Sequence, residues 1–381
     1  MPLRQQLSDA FAHIQGQLFP WLRSEVGPLT ADHERLVTVL GMVRVETFIR
    51  THDGRPGRPC DDRHALARAF IAKAVLDLPT TAALIERLQV DATLRCLCGF
   101  SGQGSVPEDW TFSRAFAEFA EAELPSRMHE ALVTRTLGQT LVGHIARDAT
   151  AIEAREKPEK SEPALAGETE TPKRKRGRPK KGEIVPPKPP RRVELQATMP
   201  LPAMLADLPK HCSVGTKRNA KGHTTSWIGY KLHIDTADGD IPVACILTSA
   251  HVHDSQVAIP LATMTAGRLT NLYDLMDSAY DVPEIKAHSR ALGHVPIIDY
   301  KTRRGEKDAV AAEARARRVA NYETAEERRY DQRTAAERVN ANLKDNCGGS
   351  HLRVRGHTKV LCHLMLGIVV ITAEQLLRLV Q

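Results

Sequence analysis

Within "RRYDQRTAAERVNANLKD", residues 328–345, a Tyr, an Arg, a Glu and a Lys stand at the spacing Y-x2-R-x3-E-x6-K. Wound as an α-helix at about 100° per residue with Tyr330 at zero, Arg333, Glu337 and Lys344 fall at about −60°, −20° and −40°. All four share one narrow face. Opposite them Ala335, Val339, Leu343 and Ala336 form an apolar stripe through which the helix would pack. Any surface helix shows such a polar face, so chemistry requires other residues to converge on it. Two carboxylates are in place to do so: Asp148 closes the apolar run "HIARD" and Asp277 closes "NLYDLMD", each at the expected end of a strand. Singly, a strand-end Asp is a turn residue or helix cap. Together with Glu337, they can meet at one edge of a sheet, where hard divalent cations relieve their mutual repulsion. Mg²⁺, or Mn²⁺ in its place, takes oxygen ligands and binds through a few carboxylates plus substrate phosphate. A pair of such ions activates an attacking oxygen and stabilises a leaving one at phosphorus. Arg333 and Lys344 would then hold DNA phosphates, and Tyr330 would stack or hydrogen-bond.

The elements that would position these groups follow from pattern. "LVGHIARDATAI" reads as a strand, "TTSWIGYKLHID" and "DIPVACILTSA" as a hairpin turning at Asp238-Gly239-Asp240, "HDSQVAIPLATMTAG" as a helix and "NLYDLMD" as a strand. "DVPEIKAHSRALG" reads as a helix opening on Asp281, with Glu284 at capping-box spacing, followed by the strand "HVPIIDYK" and two closing helices. The order predicts an α/β fold, a mixed sheet with packed helices in the element order of a ribonuclease-H-like fold. Ahead of it, Arg63 to Phe119 predicts three helices, the second capped by Thr80 or Thr81 and the third opening at Asp109 or Thr111. This all-α module has the size of a helix-turn-helix domain, and a packing or dimerisation role suits it equally. The expected division is a helical DNA-binding or dimerisation domain over 1–139 and a catalytic domain over 140–381. A basic insert at about 155–210 interrupts the second; rich in Pro, Lys, Arg and Glu, it is expected to be disordered. Inside it, "KRKRGRPKKG" looks like an AT-hook, with Arg176 and Arg178 in a narrow A·T minor groove. A flexible basic linker touching phosphates alone is the equal alternative.

The 381 residues carry a formal charge of +7, and the pI is about 9.0, which suits an acidic polymer and makes nucleic acid the leading partner. No apolar run of about 18 residues stands out and the N-terminus lacks an apolar signal core, so no membrane association is expected and the protein should be soluble and intracellular. Seven cysteines without matched C-x2-C pairs indicate neither a disulfide framework nor a zinc site.

With these residues in view, the C-terminal two-thirds resembles the DDE transposases of bacterial insertion sequences, in the group that carries the Y-x2-R-x3-E-x6-K signature. "RDATAI" is similar to that family's first-Asp strand, "WIGYKLHID" to its next strand, "SAHVHDS" to the segment ahead of a helix and "MDSAYD" to its second-Asp motif. "GRPCDDRHALARAFIAKAVLDLPTTAALIERL" and "PEDWTFSRAF" resemble the helical domain that precedes the catalytic core. The resemblance implies Asp148, Asp277 and Glu337 as a metal-binding catalytic triad holding two ions, with Tyr330, Arg333 and Lys344 as DNA-handling companions. It implies binding to terminal inverted repeats, hydrolysis of a strand at each end and joining to target DNA by a homodimer, in the bacterial cytoplasm and on the nucleoid. Two departures stand out: the insert after the first Asp is long, and residue 149 is Ala where Gly is common. The rival reading is a catalytically inactive DNA-binding protein derived from a transposase, against which stands the retention of all three carboxylates. A nuclease without strand transfer is a third.

Overall fold

The computed structural model describes residues 3–49, 62–159, 190–218, 222–299 and 307–379. Its first third is helical: α1 (Leu3–His13), α2 (Phe19–Val26), α3 (Ala31–Val43), α4 (Arg63–Val75), α5 (Thr81–Val90), α6 (Ala92–Cys98), α7 (Asp109–Glu121) and α8 (Leu124–Leu137). Thr80 caps α5 by accepting from the Ala83 amide at 3.0 Å, as its position predicts. Where one long helix is expected after Thr80 there are two, because the Asp91 carboxylate accepts from the Leu94 amide at 2.9 Å and starts α6 afresh. The third expected helix begins at Asp109, one of the two openings expected, with Glu108 before it giving no side-chain cap.

The remainder runs β1 (Leu141–Glu153), α9 (Arg192–Gln196), α10 (Leu201–Asp207), β2 (Ser213–Arg218), β3 (Thr224–Ala237), β4 (Ile241–Ser249), α11 (Ala258–Ala266), β5 (Thr270–Met276), α12 (Pro283–Ala291), β6 (Val295–Ile298), α13 (Lys307–Val319), α14 (Ala325–Tyr330), α15 (Thr334–Asn346) and α16 (His357–Arg378). β3 pairs antiparallel with β1 on one side; on the other its inner half pairs with β4 and its outer half with β2. β1 with β5 and β5 with β6 are parallel. The row β4-β3-β1-β5-β6, antiparallel at one side and parallel at the other, is the ribonuclease-H-like arrangement that the element order predicts. Alternation along β1 sends Arg147 to the face covered by α11, where Asp235 ties it to Thr265, and Ala146 and Asp148 to the face covered by α15.

One apolar cluster runs from Leu7 through Phe70 and Phe112 to Ile234 and Leu377, so the N-terminal helices share a core with the sheet, chiefly through α8 and α16. α16 is, among the described residues, the one helix long and apolar enough to cross a membrane, with mean hydropathy 2.0, and 83% of that window is buried inside the fold. Its length of apolar sequence therefore reflects a core position, and is longer than composition alone suggested.

Further local expectations differ from the structure. Residues 190–210, placed in the disordered insert, form α9 and α10, and Val193 and Met204 pack with Ile259, Tyr280 and Ile285. Arg191 fastens this segment to Glu284 at 2.6 Å and Arg192 to the Gln256 side-chain oxygen at 2.6 Å, while Arg192 also ties α9 to Asp207 of α10 at 2.6 Å. Asp281 does not open α12; its carboxylate takes the Lys286 ammonium at 2.5 Å, and Pro283 starts the helix. β2 is a strand that no pattern announced. Arg176 and Arg178 of the AT-hook-like stretch lie outside the described residues.

Candidate active site

Asp148 lies within β1 rather than at its end, because β1 goes on pairing with β3 as far as Glu153 opposite Gly229. Its parallel pairing with β5 stops at Arg147 opposite Met276. Asp148 is thus the first residue beyond that pairing, and Asp277, where β5 ends, stands beside it on a strand about 4.8 Å away. Ligands of open α/β sheets gather at the carboxyl ends of parallel strands, which is where these two Asp sit. The Asp277 carboxylate accepts from the Ala279 amide at 2.9 Å, fixing its direction. Burial, aided by the charge of Asp277, pushes Asp148 up to about 6 against the Ala149 amide, Arg333 and Lys217. Burial, with Asp254 next among the raising influences, also raises Asp277.

α15 approaches β1 closely because Ala335 and Ala336 meet Ala146, three side chains that keep no bulk between helix and strand. Val339 and Leu343 complete the buried stripe. Arg338 forks onto Asp240 of the β3–β4 turn at 2.7 and 2.6 Å, and the Arg329 guanidinium lies 3.9 Å from the Tyr273 ring centre, so the segment is tied to the sheet at its start and again within α15. The single helix expected from residue 328 onward is broken by a tight 3₁₀ turn at Asp331–Arg333. Arg333 nevertheless faces the site: its charge acts on Asp148 and Asp277, it donates to Glu337 at 2.6 Å, and it lies 5.8 Å from the Tyr330 ring centre. Burial opposes its charge, yet Tyr330, Glu337 and Asp148 hold the guanidinium above its usual range. Lys344 is lowered by burial and by Lys217, while Glu153 and Asp148 pull the other way.

The structure therefore brings Asp148, Asp277, Arg333 and Lys344 together, with Tyr330 against Arg333. Glu337 is half exposed and bonded to Arg333; among the described residues no group of three or more His, Cys, Asp or Glu is gathered tightly enough to hold a metal ion. Two residues nonetheless make a place that suits a hard cation. Asp148 and Asp277 are adjacent carboxylates, both raised, whose repulsion a cation would remove. Asn340 donates to Asp148 at 3.0 Å and leaves its own buried carbonyl oxygen without a hydrogen-bond partner. An all-oxygen set of this kind fits Mg²⁺ or Mn²⁺.

Asn340, Lys217 and Asp254 were not singled out from sequence. Asn340 had a signal: on the wheel of the signature it falls at about −80°, next to Arg333. Asp254, on the 3₁₀ turn after β4, takes Lys231 at 3.0 Å and acts on Asp277 and Tyr280 because that turn packs against the one at Ser278–Tyr280, and Lys217 lies on the unannounced β2.

Residues 143–372, from β1 through most of α16, match the family model described as Transposase DDE domain. The chain belongs to the DDE transposase family. Residues 28–118, covering α3 to α7, match a second model, Transposase domain (DUF772). No curated protein and no solved structure matches the chain. As a DDE transposase it has DNA as its partner, and its family works with divalent metal ions. All three carboxylates and the whole Y-x2-R-x3-E-x6-K signature fall inside the DDE match.

Proposed function

We propose that this transposase binds the terminal inverted repeats of its own element, cleaves a strand at each end to free a 3′-OH, and joins that end to target DNA. Asp148, Asp277 and Glu337 are its catalytic and metal-holding carboxylates. The observation that carries this reading is the adjacency of Asp148 and Asp277 where the parallel pairing ends, beneath a helix that delivers Arg333 and Lys344 to the same place. Two Mg²⁺ or Mn²⁺ ions held there supply activation of the attacking oxygen and stabilisation of the leaving one at phosphorus. Cutting and joining are both in-line displacements, so one site serves both.

The remaining roles fall to the chain's own groups. Asn340 holds Asp148 in one rotamer. Arg333 keeps a buried Nε without a partner and so retains a donor for a second phosphate oxygen. An incoming DNA phosphate competes with Glu337 for this guanidinium and frees the carboxylate to turn toward Asp148. Lys344 holds a neighbouring phosphate, and Tyr330 stacks or hydrogen-bonds at the DNA end. Two copies assemble on DNA as a homodimer to bring both ends together, on the nucleoid of the bacterial cytoplasm. Arg176 and Arg178 add contacts to A·T-rich DNA.

The test uses a labelled duplex carrying the DNA end that flanks this gene, with Mg²⁺. Asp148→Asn and Glu337→Gln are expected to abolish nicking while the duplex stays bound. Cleavage at the wild-type rate in both variants overturns the assignment. Binding without cleavage in the wild type favours an inactive DNA-binding descendant of a transposase.

A further inference from the structure

Where the signature helix α15 ends, the chain meets the N-terminal helices. The Gly348 amide donates to the Asp77 carboxylate of the turn after α4 at 2.8 Å, and the Gly348 carbonyl lies 2.9 Å from Nε2 of His363 on α16. Gly348 has φ of 79°, and a Cβ on Gly349 would meet the Leu343 carbonyl oxygen at 2.7 Å, so this turn closes only with glycine. The segment that leaves it packs Leu352 and Val354 against the shared core and exposes Arg353 and Arg355.

Between this segment, α4, the start of α5 and α16 lies a recess of about 400 Å³. Its floor is apolar, with Phe70, Phe116 and Leu366 buried. Its mouth is cationic: Arg353, Arg355 and Lys359 are exposed, and Lys73 of α4 is partly buried. Among the described residues none of these four side chains has an ion-pair or hydrogen-bond partner, and no carboxylate lines the recess. Lys359 stands in the first turn of α16, where the helix dipole repels a cation, and Thr80 and Thr81 bring the N-terminus of α5 to the same recess. Four cations gathered at two helix N-termini destabilise one another, and an anion offsets that cost. The exposed cations also say what kind of anion. A small phosphorylated molecule enclosed in the recess would lie against Phe70 and Phe116, whereas a polymer lying across the mouth meets Arg353, Arg355 and Lys359. Cys347 at the edge lies about 15 Å along α15 from Glu337, so a phosphate held here is not the one being cut.

We propose that this recess is a second seat for the DNA backbone, in which Arg353, Arg355, Lys359 and Lys73 hold phosphates of the element end away from the scissile bond. The inference rests on the reading above that the protein binds the ends of its element. It adds a surface shared by the N-terminal helices and the segment after the signature helix. These four residues bind substrate and take no part in the bond exchange.

The experiment measures binding of a fluorescein-labelled duplex carrying the DNA end that flanks this gene, in EDTA, across a salt series, with full-length protein. Arg353→Ala, Arg355→Ala and Lys359→Ala should each lower the slope of log affinity on log salt by about 0.9, the value of one phosphate contact. The double variant Arg353→Ala/Arg355→Ala should lower it by about twice that, and Arg353→Lys should keep it. Arg290→Ala, which removes an exposed cation from α12, should leave the slope unchanged. Lys359→Ala should melt no lower than the wild type, because it takes a cation away from a helix N-terminus, and this separates lost binding from lost folding. A wild-type slope in the double variant, or an equal fall in Arg290→Ala, overturns the seat. Binding of inorganic pyrophosphate by the wild type, lost in the double variant while its DNA slope stays unchanged, would give the recess to a small phosphorylated molecule instead. Wild-type nicking with Mg²⁺ in the same preparation keeps the claims apart: its absence counts against the catalytic reading, while the slopes in EDTA still decide the seat. A wild type that binds no duplex overturns both.

Discussion

Asp148, with an ordinary carboxylate value of 3.8, is held up to about 6 by burial and by Asp277. A carboxyl raised on folding binds its proton more tightly in the fold than in the unfolded chain. Its stabilising contribution is therefore complete below about pH 3.8 and lost as pH rises through about 6. Asp148→Asn, measured in EDTA, should consequently melt a few degrees above the wild type at pH 7.5 and level with it near pH 4. Saturating Mg²⁺ should reverse the order at pH 7.5, since it stabilises only the protein that binds it. A variant that melts lower than wild type in EDTA at pH 7.5 would contradict this account of the site. The same residues show what could be read from sequence. Asp148, Asp277 and the four signature residues announce themselves by type and spacing along a strand end or a helix face. Asn340 is a polar residue at the margin of an apolar stripe, and only its bond to Asp148 gives it a place in the site.

α15 sets the depth of the signature residues through two small side chains, Ala335 and Ala336, packed on Ala146. Ala336→Leu should overpack this contact, cost about 1–3 kcal/mol and lift Glu337 and Asn340 away from Asp148. The predicted outcome is a lower denaturant midpoint together with loss of cleavage, whereas Ala341, exposed on the same helix, should accept Leu with neither effect. Equal behaviour of the two would show that the helix is not seated by these alanines. Strands and helices with strong periodicity were readable from sequence, as was the hairpin turn at Asp238-Gly239-Asp240. Ends were less so: β1 outruns Asp148 because β3 keeps pairing with it, and Asp281 prefers the Lys286 ammonium to a cap. Residues 190–210 have the composition of a linker, yet Val193 and Met204 find a tertiary partner in the surface formed by Ile259, Tyr280 and Ile285.

The N-terminal helices and the sheet are joined by a continuous core and by His129, and a second histidine held neutral, His363, ties α16 to the turn after α15. His129 of α8 lies 3.0 Å from the Pro242 carbonyl, and burial, with Arg268, drives it down to about 3; His363 of α16 lies 2.9 Å from the Gly348 carbonyl and is driven to about 4. A histidine depressed on folding supports the fold fully above about pH 6.5 and loses that support as pH falls toward the folded-state value. The urea midpoint should therefore fall between pH 6.5 and 4, and less steeply in His129→Gln, whose amide keeps a donor for Pro242. An identical slope in that variant would remove His129 from the explanation. The shared core was invisible in sequence, because periodicity shows that a helix has an apolar face but not which element covers it. The most direct measurement is cleavage of a labelled duplex carrying the DNA end that flanks this gene, in Mg²⁺, Mn²⁺ or EDTA, by wild type and by Asp277→Asn. The account predicts nicking at the element boundary that needs metal and is lost in the variant; metal-dependent nicking that persists in Asp277→Asn would contradict it.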